Sequence, residues 1–150
     1  MDGMLRANLE RDLKTAMLAK DEIARDTIRF ILAAVKNQEI EQRTPLTVDD
    51  EIALLNRMSK RLLEAIEQYD KAERTDLAGR ERAQLAIVKR YLPEEISDDE
   101  LDALVQAVVL EVGAVAPKDM GKVMPVLLPR VAGRADGKRV SAAVRQALVS

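Results

Sequence analysis

The chain has 150 residues, a formal net charge of -2, and 47% apolar but only 2% aromatic residues, so it can bury a sizeable core made of Leu, Ile, Val, Met and Ala. That composition favours helices. The absence of Cys and His excludes disulfides, thiol nucleophiles, the usual zinc ligands and Ser-His or Cys-His pairs. The six glycines, at 3, 79, 113, 121, 133 and 137, form neither a phosphate-cradling loop nor a dinucleotide fingerprint. The opening MDGMLRANLERDLK is charged from the start and reads as neither a signal peptide nor a membrane span. The expectation is therefore a cytoplasmic protein with no membrane partner, no metal and no small-molecule cofactor.

In chain order, Leu5, Leu9, Leu13, Ala16 and Met17 recur at helical spacing. Asp21 can cap a second helix with the stripe Ala24, Thr27, Ile28, Ile31, Leu32 and Val35, and the two should pair as a hairpin. TPLTVDDE supplies a breaker at Pro45, a cap at Thr47 and acids in the first turn of the longest helix, which carries Ile52, Leu55, Leu62, Ile66 and Tyr69 and runs to about Ala72. Thr75 can cap a fourth helix through Leu77, Leu85 and Val88 to Tyr91, and Pro93 stops it. Ser97 with Glu100 reads as a capping box for a fifth helix, whose stripe is Leu101, Leu104, Val105, Val108 and Val112 and whose end is Gly113.

The stretch KDMGKVM raises a question, because Gly121 precedes Pro125 by four residues inside an otherwise helical stripe of Met120, Val123, Met124, Leu127, Leu128 and Val131. Pro125 should crowd the carbonyl of residue 121, so this helix is expected to kink or start late. The glycine serves either tight packing or the close approach of a ligand to a helix N-terminus. GRADGK then makes a turn with Asp136 as cap, and Val140, Val144 and Leu148 mark a last helix. No strand pattern occurs. The expected fold is all-α: an N-terminal helical bundle over residues 1–93 and a small C-terminal three-helix module over 97–150, joined by a short hinge.

Charge is sorted along the chain. Residues 1–93 hold 17 bases and 17 acids, residues 94–114 hold 7 acids and no base, and residues 115–150 hold 7 bases against 2 acids. The acidic helix can simply neutralise its neighbours, or the bases can form a patch for a phosphate backbone. Ser59, Ser97, Ser141 and Ser150 lie in no nucleophile signature, Ser97 reading as a cap and Ser150 as a chain end.

KRLLEAIEQYDKAERTDL at 60–77, YLP at 91–93, DMGKVM at 119–124 and GRADGK at 133–138 occur in this order, and on them the chain resembles the YqeY family. That family is similar to the tail domain of the GatB subunit of aminoacyl-tRNA amidotransferase. The chain departs from the family pattern at Glu73, where a glycine is usual, at Gln84, where a second glutamate is usual, and at Pro125.

The resemblance implies a non-catalytic tRNA-binding or amidotransferase-related accessory protein. A family-level label of carbon-nitrogen ligase with glutamine as amide donor comes with it, although the amidotransferase's catalytic domains have no counterpart here. The partners implied are tRNA and amidotransferase or synthetase subunits. The residues expected to face phosphates are Lys122, Arg134, Lys138 and Arg139, with Gly121 allowing approach and Lys122 set near the GRADGK turn. The alternative is a protein-protein adaptor, using the long third helix or the acidic one, with no RNA contact.

Overall fold

The computed structural model describes residues 4–149; Gly3 and Ser150, both noted above, lie outside them. Seven α-helices and one 3-10 turn, without a strand, make up the regular structure of these residues, so the fold is all-α. The chain divides into two compact units, Met1–Leu92 and Pro93–Ser150, each with its own buried cluster.

In the first unit, α1 (Leu5–Leu18) and α2 (Glu22–Gln42) pack together as the expected hairpin. Lys20 turns the chain in left-handed backbone, and the Asp21 carboxylate caps α2 by accepting the Ala24 N–H at 3.1 Å. Thr47 opens α3 (Val48–Lys71) with a complete capping box, its hydroxyl accepting the Asp50 N–H at 3.1 Å while Asp50 accepts the Thr47 N–H at 3.0 Å. Leu9, Ile28, Ile31, Leu55 and Val88 form the dry centre, each contributing roughly 1.5–3 kcal/mol by leaving water. Two polar ties cross this core. The Leu5 N–H donates to Glu51 at 3.1 Å, and the Tyr91 hydroxyl donates to Asp12 at 2.6 Å. Burial, then the Asp12 carboxylate, pushes the Tyr91 phenol well above its ordinary range and keeps it a donor.

The fourth helix differs from expectation at both ends. α4 spans Thr75–Lys89, with Thr75 as its first residue rather than its cap, and Arg74 before it makes no side-chain cap bond. The reason is Glu73, whose φ of 57° reverses the chain so sharply that the Arg74 N–H returns to the Tyr69 carbonyl at 2.8 Å. Beyond Lys89 the chain tightens into i to i-3 bonds, Tyr91 to Val88 and Leu92 to Lys89, which carry it to Pro93.

Left-handed backbone costs a residue with a Cβ roughly 1–2 kcal/mol, and glycine pays part of that back as unfolded-state entropy. Glu73→Gly is therefore expected to stabilise the first unit by about 0.5–1 kcal/mol, read as a rise in melting temperature of a few degrees. An unchanged or lower melting temperature would show that the Glu73 side chain offsets its own backbone strain.

The second unit holds α5 (Asp98–Val112), the 3-10 turn Pro117–Asp119, α6 (Met120–Val131) and α7 (Gly137–Val149), packed around Leu101, Val105, Val108, Val123, Leu127, Val131, Val140 and Val144. Gly113 ends α5 in left-handed backbone as the sequence suggests. The expected late start is not seen: α6 begins at Met120 and runs through both Pro125 and Pro129. Gly121, Pro125 and Pro129 recur every four residues on the solvent face, so the carbonyls that the prolines cannot serve, those of Gly121 and Pro125, can turn to water.

Candidate nucleic-acid interface

Three turns of the second unit position its charges. Asp136 accepts the Arg139 N–H at 2.8 Å and so caps α7, which fixes Lys138 and Arg139 in its first turn. Ala132 and Gly133 both adopt positive φ, 53° and 75°, and swing Arg134 back toward the segment that precedes α5. There the Arg134 carbonyl accepts the Ile96 N–H at 2.9 Å, and its guanidinium donates to the Glu94 carbonyl at 3.0 Å.

Arg134 also grips Glu100 with two hydrogen bonds, of 3.1 and 2.9 Å, and Arg139 donates to Asp98 at 2.7 Å. This explains why the capping box expected at α5 is only half formed. Ser97 accepts the Glu100 N–H at 3.1 Å, but the Glu100 carboxylate is taken by Arg134. The same hydrogen bonds hold the Glu100 carboxyl below its ordinary range and raise Arg134. Asp98 is 91% exposed, so its pair with Arg139 remains open to competition from other anions.

At the other end of α6, Asp119 is a feature the sequence reading missed. Its carboxylate is buried and accepts the N–H groups of Val115, at 2.9 Å, and Ala116, at 3.2 Å, which folds the loop entering α6. These bonds, the Val115 one first, hold its carboxyl low, with Lys122 3.8 Å away adding to the effect. An Asp four residues after its first partner is the signal that could have revealed it. Gly121 follows in the first turn of α6, and a Cβ built on it meets no atom within 4 Å. Packing does not require the glycine; its face is open.

The five expected residues therefore do not converge. Gly121 and Lys122 open α6, whereas Arg134, Lys138 and Arg139 follow its far end, and the helix between Lys122 and Val131 rises about 14 Å. Among the described residues Arg134 and Arg139 are committed to the acids of α5, while Lys118 and Lys138 are exposed and in no ion pair.

A carboxyl held low by the fold contributes stability that is complete above its unfolded pKa and is lost as pH falls through the folded one. The second unit is thus expected to weaken in acid, as the pH falls below the ordinary carboxylate range and Glu100 and Asp119 protonate. The paired variant Glu100→Gln, Asp119→Asn should be less stable at pH 7 and should fall less steeply in acid, as followed by denaturant titration at both pH values. Parallel curves for the two proteins would remove these carboxyls from the acid transition.

No helix among the described residues is long and apolar enough to cross a membrane. Proteins named altered inheritance of mitochondria protein 41, mitochondrial, are similar to this chain. That of Lachancea thermotolerans is 39% identical over 70% of this chain and 58% of its own length. That of Vanderwaltozyma polyspora is 36% identical over 75% and 64%, and that of Pyrenophora tritici-repentis 31% identical over 97% and 81%. The chain thus spans less than two thirds of the first two. The expectation of a cytoplasmic protein is corrected by these relatives, whose names point to the mitochondrion. The family described as Yqey-like protein matches residues 6–148, nearly the whole chain; with its all-α architecture and the motifs from YLP to GRADGK, the chain belongs to the YqeY family.

Proposed function

We propose that the chain is a non-catalytic accessory protein of tRNA metabolism whose C-terminal module contacts an RNA phosphate backbone. The observation that carries this reading is the open side of Gly121 in the first turn of α6, between the exposed Lys118 and Lys122. Lys138 extends the contact at the start of α7. Arg134 and Arg139 join it to the extent that phosphates displace Glu100 and Asp98, and the exposed Asp98 is the easier to displace. The reading assigns no catalytic residue. Its partners are tRNA and, through it, amidotransferase or synthetase subunits.

A second reading, an adaptor without RNA contact, draws support from Leu110 and Val115, largely exposed apolar residues of the same module. Anisotropy titration of the full chain with total tRNA at two salt concentrations separates the two. RNA contact through phosphates gives binding that weakens steeply with salt. Gly121→Leu should keep its melting temperature, because its face is open, yet bind more weakly. Binding indifferent to both salt and Gly121→Leu would leave the adaptor reading ahead.

A further inference from the structure

The first unit contains a cavity of about 430 Å³ that nothing in the tRNA reading uses. α4 packs against both α2 and α3, while α2 and α3 touch each other little, so a cleft opens between them with α4 as its floor. Its apolar walls are Phe30 of α2, Met58 and Leu62 of α3, and Val88 of α4. That volume and lining fall within the range of sites for small molecules.

Three polar features in the lining are unexplained by the fold. Thr27 is only 6% exposed, and its hydroxyl has no hydrogen-bond partner, a state that ordinarily costs about 1–3 kcal/mol. Arg61 and Glu81, on different helices, carry opposite charges at the cleft, and neither is in an ion pair among the described residues. The remaining charge, Asp26, is already held by Arg25 at 2.9 Å. The charges free to meet a ligand therefore cancel, which disfavours a simple anion or a simple cation.

We propose that this cleft binds a small zwitterion with an apolar body, of the class of a free aliphatic or aromatic α-amino acid. Arg61 takes the carboxylate, for which its planar fork is suited. Glu81 takes the ammonium group, the Thr27 hydroxyl gains the partner it lacks, and Phe30, Met58, Leu62 and Val88 cover the side chain. The site lies wholly within the first unit and does not depend on RNA binding by the second.

The test is an amide NMR titration of the full chain with L-leucine, L-methionine and L-phenylalanine, and with N-acetyl-leucine and leucinamide, each of which lacks one charge. The expected result is saturable shifts confined to residues 26–30, 58–62 and 81–88 for at least one free amino acid. The blocked compounds should bind roughly tenfold more weakly, since each loses a hydrogen bond to a charged group. Arg61→Gln and Glu81→Gln sit at the cleft's exposed and half-exposed positions, so they should keep the fold and lose binding by a similar factor. Thr27→Val should weaken binding without lowering the melting temperature, because it removes a hydroxyl the empty protein does not satisfy. Blocked compounds binding as well as free ones, or no saturable shift up to about 10 mM of any compound, would overturn the proposal. So would shifts at these residues that follow protein dilution alone, which would mark the cleft as a contact between copies.

Discussion

Leu127→Ala is expected to unfold the second unit while the first stays folded. Leu127 is 0% exposed at the centre of α6, between Val123 and Val131, so truncation removes buried methyls and leaves a cavity, at a cost of about 2–5 kcal/mol. A core of the size of Pro93–Ser150 supplies only about 3–5 kcal/mol in total. Helical circular dichroism should fall by about the share of α5, α6 and α7, and amide resonances of Leu5–Lys89 should keep their dispersion. The control is the adjacent residue: Leu128 is 44% exposed, and Leu128→Ala should shift stability by no more than about 0.5 kcal/mol. Equal losses from the two variants would contradict the packing of α6 described here, and loss of both units together would show that they fold as one.

Neutralising the two lysines should produce the largest change in RNA binding. Lys122→Gln with Lys138→Gln removes exposed charges from the first turns of α6 and α7; it leaves the pairs that Arg134 and Arg139 make with α5 and gives up only the 3.8 Å contact of Lys122 with Asp119. If each lysine meets one phosphate, the slope of log K against log salt should fall by roughly 0.7–0.9 per contact, and affinity at low salt by about tenfold or more. Melting should change little, because exposed charges contribute little to stability. Arg139→Glu is a poorer probe: it sets a carboxylate against Asp98 and so perturbs the α5 end as well as any phosphate contact. An unchanged slope in the double lysine variant would end the phosphate reading for this module.

The helices were legible because their causes are local. Apolar residues at helical spacing predicted α1, α2, α3 and α5 and most of the residues that face their cores, although Met17 of the α1 stripe is exposed and Leu54 and Ser59 of α3 are buried outside the predicted stripe. Asp21, Thr47 and Asp136 cap because a short oxygen-bearing side chain lies three residues before a free N–H. Family membership was legible for the same reason, being carried by short motifs in order. What needed tertiary structure was every feature that depends on residues far apart in sequence. Arg134 and Glu100, separated by 34 residues, form a forked pair that costs Glu100 its place in a capping box. Arg139 reaches across 41 residues to Asp98, so charges that look like one cationic patch in the sequence are partly spent inside the fold. The stripe of α6 could not tell Leu127 from Leu128, because adjacent positions differ by only 100° around the axis and the direction of the core decides between them. The same holds for Gly121 and Thr27. Whether a bare Cα faces a neighbour or open space, and whether a buried hydroxyl finds a partner, depends on which helices pack beside it, and no local spacing encodes that.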